Sequence, residues 1–264
     1  MKLKYHIAGA KDDLGVYLRG MSPGVQRALR EYHGKLLAAK ITPDGNRRCS
    51  KDFRMSSVIE GHREGVCRIE DTLIHIREER SNVVDEITFW GLSRDNKKRP
   101  EVELEGLYTL LRKFKPRLLE IANRHSIHAF MIGDESLLPL DIVDLMQELS
   151  QETEQYNTVF RCALALGYDQ EGEINRQANL LVGNGFQGDQ NTLRKEAFQK
   201  AHNGLREPDV MIRAGSDGRH RTSGGFMGPN TALHFFRAHW PTITTRHIDF
   251  ALHSAIMEEI NNGK

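Results

Sequence analysis

Three stretches of this chain bring together residue types that handle anions. Asp44-Gly45-Asn46-Arg47-Arg48 places a carboxylate, a glycine and two arginines side by side. Glycine lets backbone approach a ligand closely, and guanidinium groups hold phosphate bidentately. A carboxylate beside an anion fits a bridging divalent cation, because Mg2+ commonly binds one or two carboxylates plus substrate phosphates. Ser93-Arg94-Asp95-Asn96-Lys97-Lys98-Arg99-Pro100 is a basic, polar run ahead of a helix start, where anions are favoured. Between Arg213 and Gly225, Arg213, Arg219 and Arg221 are interleaved with four glycines, a mixture suited to clamping a diphosphate. Taken singly, each stretch is also an ordinary turn or solvated loop, since Asp-Gly and Gly-Asn are common turn pairs.

The elements that must position these loops alternate. Lys35 to Ile41 reads as a buried strand, Gly61 to Glu79 as a helix with Val66, Ile69, Leu73 and Ile76 on one face, and Val83 to Leu92 as a strand. Pro100 suits the first helical position, and Val102 to Asn123 follows as a helix kinked at Pro116. Then come a strand (Ile127 to Ile132), a helix (Leu140 to Gln151), a strand (Val159 to Leu166) and a helix (Ile174 to Leu181). Gly183 to Pro208 is polar and gapped, an insertion or a poorly packed helix. Short strands at Val210 to Ile212 and Leu233 to Phe236 precede a last helix, His247 to Ile260. Such alternation predicts an α/β fold: a central parallel sheet flanked by helices. Residues 1–35 read as a helical N-terminal extension, with a helix capped at Ser22-Pro23, and residues 36–264 as a single domain.

Ligands of parallel sheets gather at the carboxyl ends of the strands. The loops there supply Asp44, Asn46, Arg48, His62, Ser93, Asn96, Arg99, Arg213, Asp217, Arg219 and Arg221, a rim for two anionic groups with Mg2+. Neither a P-loop nor a Rossmann glycine pattern follows a strand, which argues against a common nucleotide enzyme.

Composition narrows the class further. The chain has 264 residues, with 37 Lys+Arg against 36 Asp+Glu, a balance of 37 − 36 = +1. No basic excess is available to release counterions, so a nucleic-acid partner is not expected. An apolar share of 39% excludes disorder. Three cysteines without a C-x-x-C, and 12 dispersed histidines, suggest neither a disulfide frame nor a transition-metal site. There is no run of about 18 apolar residues and no signal-peptide pattern, so a cytoplasmic location is expected.

PDGNRR (Pro43 to Arg48), EGHREG (Glu60 to Gly65), FWGLSRDNKKRP (Phe89 to Pro100), IGD (Ile132 to Asp134), PDVMIRAG (Pro208 to Gly215) and LHFFRAHWP (Leu233 to Pro241) occur in that order. Together they resemble the cis-prenyltransferases, the undecaprenyl diphosphate synthase family, over roughly residues 36 to 255. The resemblance implies an elongated apolar tunnel beside the sheet, a homodimer, and Mg2+-dependent condensation of an allylic prenyl diphosphate with isopentenyl diphosphate. It implies that Asp44 holds the metal and helps diphosphate leave. It implies that Gly45, Asn46 and Arg48 cradle the allylic diphosphate, with His62 beside them. Ser93, Asn96 and Arg99 match a loop that closes over the reacting groups, where Asn96 and Arg99 are taken as catalytic. Arg213 and Arg219 match arginines on the second diphosphate.

Departures concentrate on that second side. Arg221 replaces a diphosphate-binding serine, Asp217 a longer glutamate, and Ala232 a metal-binding glutamate, so Asp217 is taken as a substitute metal ligand. Val58 stands where the family has a basic residue, and the C-terminal Arg-x-Gly is absent. These changes favour a short or irregular product, for example from coupling to a second allylic diphosphate. The alternatives are a non-autonomous subunit of a heteromeric enzyme, a terpene cyclase or hydrolase using only the ionising half-site, and a degenerate binding protein. A prenyl product also allows peripheral membrane contact.

Overall fold

The computed structural model describes residues 8–183, 189–216 and 227–261. At its centre lie β1 (Leu37–Thr42), β2 (Val84–Trp90), β3 (His128–Ile132), β4 (Arg161–Ala165), β5 (Val210–Arg213) and β6 (Ala232–Phe235). All pair in parallel, in the spatial order β3-β4-β2-β1-β5-β6. The expected α/β architecture is present. Every residue of β1 is buried, as a strand covered on both faces must be.

Alternation along the strands sorts side chains onto the two faces. Ala39, Ile41, Ile87, Phe89, Leu164 and Ile212 join the main core. Over them lie α4 (Val58–Glu79), α5 (Glu101–His125), α6 (Leu140–Thr153) and α9 (Thr245–Asn261). Phe130, Ile132, Ala163 and Ala165 face the other way, in a smaller cluster with Tyr168, Phe198 and Leu205. Phe198 belongs to α8 (Gln190–Ala201), which packs with α7 (Gln170–Gly183). The polar stretch from Gly183 to Pro208 therefore contains a real helix. Its buried contribution is small, chiefly Ala197 and Phe198, which is why its periodicity is faint in the sequence.

Two short helices precede the sheet, α1 (Leu14–Met21) and α2 (Pro23–Arg30). Ser22 caps α2 as expected, its hydroxyl accepting from the Val25 N–H at 3.3 Å. Val25 and Leu29 enter the main core. Gln26 donates to Asp249 of α9 at 2.8 Å, which ties this segment to the last helix.

Helix α4 begins at Val58, three residues before the apolar pattern shows it. Ser57 accepts from the Glu60 N–H, and the Glu60 carboxylate accepts from the Ser56 N–H at 2.9 Å. Pro100 stands just outside α5 as its cap residue. Helix α5 continues through Pro116, whose ring is exposed. No helix among the described residues is long and apolar enough to cross a membrane.

Candidate active site

The connection leaving β1 runs to β2 on one side, whereas β5 continues to β6 on the other. Such a switch point opens a crevice at the carboxyl ends of the two strands. Thr42 pairs with Arg213 across it. Asp44 follows two residues after Thr42, and its Oδ2 accepts from the Arg213 guanidinium at 2.7 Å. The other oxygen accepts from the Gly45 N–H at 2.6 Å and lies 3.5 Å from Arg48. The carboxylate remains 39% exposed.

Gly45 has φ +92°, and a Cβ there would lie 2.7 Å from His239 Nδ1. Only glycine suits this turn. It starts α3 (Asn46–Asp52), a polar helix whose pattern in the sequence reads only as a loop. That helix turns Asn46, Arg47 and Arg48 in different directions. Arg48 donates to the Gly215 carbonyl at 2.5 Å, tying the first motif to the loop after β5. Asn46 donates to the Pro43 carbonyl at 3.0 Å, while its buried Oδ1 has no hydrogen-bond partner.

A polar cavity of about 830 Å3 opens above these residues. Asp44, Gly45, Asn46, Arg48, His62 and Arg99 line it, so six of the expected residues meet, and Arg213 stands beside them on Asp44. Arg47, Ser50, Lys51 and Ser57 line it too. Below it, Gly65, Val66, Ile69, Leu107, Leu110, Leu111 and Phe114 meet Phe89, Leu164, Leu166 and Trp240 around an apolar pocket of about 100 Å3. Asn46 and His62 line both spaces. They mark the junction between a polar chamber and an apolar one.

His62 is held neutral there. Burial pushes its pKa down to about 4, and the nearby charges of Arg99 and Arg47 push the same way. Its Nε2 has no hydrogen-bond partner and lies 3.8 Å from Glu103. Glu103 is the residue that motif reading missed. One of its oxygens lies 3.1 Å from Arg99 and 3.5 Å from Arg47, as well as near His62. A sequence signal existed, because Arg99 and Glu103 are four apart at a helix start, the spacing of a helical ion pair.

Other expected residues stand apart from the cavity. Ser93 and Asn96 do not line it. They form a capping box around the 3-10 turn Arg94–Lys98, with the Asn96 Oδ1 accepting from the Ser93 N–H at 2.9 Å. Their polar groups serve the turn itself. Asp217, Arg219 and Arg221 lie outside the described residues, and so does the Asp44–Asp217 metal pair. Among the described residues no three or more His, Cys, Asp or Glu side chains cluster to hold a metal. Ala232 begins β6 opposite Val210, at the other end of the strand from the Arg213–Phe235 pair. Within one chain, a carboxylate at this position would therefore sit at the sheet edge away from Asp44.

The sequence profile of the undecaprenyl diphosphate synthase family matches residues 42–258. The chain belongs to this family of prenyltransferases. A tritrans,polycis-undecaprenyl-diphosphate synthase (geranylgeranyl-diphosphate specific) of Pyrobaculum aerophilum is 29% identical over 77% of this prenyltransferase and 85% of its own length. A (2Z,6E)-farnesyl diphosphate synthase of Thermobifida fusca is 30% identical, over 78% and 81%. Lavandulyl diphosphate synthase from Lavandula x intermedia, solved with dimethylallyl diphosphate, superposes with TM-score 0.71 at 23% identity, covering 83% of this prenyltransferase and 94% of that chain. The last likeness establishes the shared fold.

Proposed function

We propose that this prenyltransferase condenses an allylic prenyl diphosphate, its tail in the apolar pocket, with isopentenyl diphosphate or a second allylic diphosphate. The observation carrying this reading is the junction at Asn46 and His62, where a cationic chamber meets an apolar one. A prenyl diphosphate has that same division between head and tail.

Arg47, Arg48 and Arg99 line the chamber that would take the first diphosphate. Fixed cations there stabilise charge as the C–O bond ionises. Asn46 and His62 line both spaces, at the junction where the allylic carbon would sit. Keeping His62 neutral avoids placing another cation beside the developing carbocation. The apolar walls exclude water, which would otherwise quench that cation by hydrolysis. Arg213 would hold the second diphosphate on the β5 side. A carbon–carbon bond forms, and a proton and diphosphate are lost.

Asp44 suits a magnesium ion: one part-exposed carboxylate faces the chamber, and Mg2+ needs few protein ligands when diphosphate oxygens supply the rest. When bound, the metal neutralises charge on the departing diphosphate. The outer edge of β6 is unpaired among the described residues and exposes Leu233. We place the second copy of a homodimer there.

An endpoint assay tests the function. Purified protein with Mg2+ and isopentenyl diphosphate receives dimethylallyl, geranyl or farnesyl diphosphate, each allylic substrate also being run alone. Masses stepping up by five-carbon units, absent with Asp44→Ala, are the expected result. Product from an allylic substrate alone would indicate irregular coupling, cyclisation or hydrolysis. Silence in every tube would overturn activity by this chain alone and turn the search to a partner chain.

A further inference from the structure

Asp13 stands just ahead of α1, where a carboxylate ordinarily accepts from the N–H groups of its own helix's first turn. It makes no such cap here. Both of its oxygens reach instead to a distant part of the chain. Oδ1 accepts from the Arg237 N–H at 3.1 Å and Oδ2 from the Ala238 N–H at 2.8 Å. The Asp13 side chain is 9% exposed, so these bonds are largely shielded from water. Gly9, one turn earlier, comes so close to the same stretch that a Cβ there would lie 1.8 Å from the Thr242 carbonyl oxygen. The segment before β1 is therefore seated along the connection between β6 and α9.

That connection touches both halves of the site. On one side, the Ala238 carbonyl accepts from the Gly215 N–H at 2.7 Å, and the Phe236 carbonyl from the Ser216 N–H at 2.8 Å. These are the residues that follow Arg213 out of β5. On the other side, the Trp240 N–H donates to the Asp44 carbonyl at 2.9 Å, and His239 packs against Gly45. One short stretch thus braces the loop that carries Arg213 and the loop that carries Asp44. Asp13 is the carboxylate that fixes this stretch from behind, and it lines neither chamber nor pocket.

Resting on the condensation reading above, we infer that Asp13 is a positioning residue: it sets the spacing between the two diphosphate half-sites. Each half-site is built from its own loop and keeps its own cations without Asp13. The distance between the two bound substrates does not survive in the same way, because their loops meet through Phe236 to Trp240. Carbon–carbon bond formation is sensitive to that distance, and a misplacement of about 1 Å can cost about 10²-fold in rate. With the second substrate out of reach, water captures the ionised allylic carbon. The C–O bond breaks, diphosphate leaves, the water oxygen bonds to carbon, and a proton is released to give a prenyl alcohol.

Two measurements test this, one of them independent of turnover. Kinetics with Mg2+, geranyl diphosphate and isopentenyl diphosphate compare the wild type with Asp13→Ala, Asp13→Asn and Val25→Ala. Val25 lies in the main core on α2, so its truncation loosens the same N-terminal segment without removing the Asp13 bonds. Asp13→Ala should lower kcat for condensation at least tenfold, leave both KM values within threefold, and raise the share of prenyl alcohol among the products. Asp13→Asn keeps one acceptor oxygen and should lose less; it also serves if Asp13→Ala fails to fold. Val25→Ala should keep the wild-type kcat and product ratio. Hydrogen exchange without substrate should be at least tenfold faster in the peptides spanning Asp44 and Gly215 of Asp13→Ala, and unchanged there in Val25→Ala. Unchanged exchange in a folded Asp13 variant, an unchanged kcat, or an equal kcat loss in Val25→Ala would overturn the inference while leaving the condensation reading intact. Faster exchange at both loops in an enzyme whose wild type never condenses would uphold the bracing by Asp13 and overturn condensation by this chain alone.

Discussion

Asp44 Oδ2 and an Arg213 guanidinium nitrogen lie 2.7 Å apart, across two strands separated by 169 positions in the chain. The pairing of β1 with β5 produces this contact, and it aims the carboxylate into the polar chamber. Replacing Asp44 with Asn keeps the shape but removes the charge that holds both Arg213 and the proposed metal. We expect kcat to fall by about 10²–10³-fold, the scale of removing one preorganised electrostatic contact. The far-ultraviolet circular dichroism spectrum should be unchanged. Full activity in Asp44→Asn would show that the carboxylate is not part of the site.

Glu103 gathers Arg47, Arg99 and His62 on one oxygen without lining the chamber itself. It is a positioning residue. Glu103→Gln should raise KM for the allylic diphosphate about tenfold, worth about 1.4 kcal/mol, while kcat changes less. A fall in kcat with KM unaltered would contradict a role in holding the arginines for the first diphosphate.

Two buried histidines make the fold sensitive to acid. His62 and His247 each have pKa values pushed down by burial to about 4, against an ordinary value near 6.5. Between those values the unfolded chain binds protons that the folded chain refuses. Stability therefore rises with pH across this window and is lost as pH falls from about 6.5 to 4. Denaturant midpoints measured through that range should show the slope, and it should shrink in His247→Gln. An unchanged slope would mean that His247 is not held neutral.

Asp249 anchors the N-terminal helices. Its buried carboxylate accepts from Arg80 at 2.8 Å and from Gln26 at 2.8 Å, and His75 Nε2 lies 2.8 Å away. Burial alone would raise its pKa, but hydrogen bonds from His75, Arg80 and Gln26 outweigh that and hold the carboxyl well below the usual range. Asp249→Ala strands the buried Arg80 charge and should cost about 3–5 kcal/mol. Limited proteolysis should then cut first between α1 and β1. A loss under 1 kcal/mol would show that the network contributes little to the fold.

Local chemistry made much of the architecture legible. The β-branched run at Val83 to Leu92 and the three-and-four spacing in Gly61 to Glu79 have one comfortable outcome each, a strand and a helix. Helix α3 stayed hidden because its residues, Asn46 to Asp52, are nearly all polar and their helicity depends on the turn at Gly45. Helix α8 was faint for the related reason that only a narrow face is buried. Within the site, Asp44, Asn46, Arg48 and Arg99 were readable as loop residues at strand ends. Ser93 and Asn96 were read as part of a loop that closes over the reacting groups, and in this structure they cap their own turn outside the chamber lining.

The sequence by itself determined the parallel α/β order, the family, and the anion-handling motifs at the carboxyl ends of the strands. Those depend on residue type and short-range spacing, which the chain carries in linear form. The tertiary structure alone decided that Glu103 collects three cationic or ionisable neighbours and that Asn46 and His62 share a junction. Each of these depends on where two or more distant segments come to rest on the sheet. Helical periodicity says which face of α5 is apolar, but the depth of the space beside that face is set by packing against α4 and the strands.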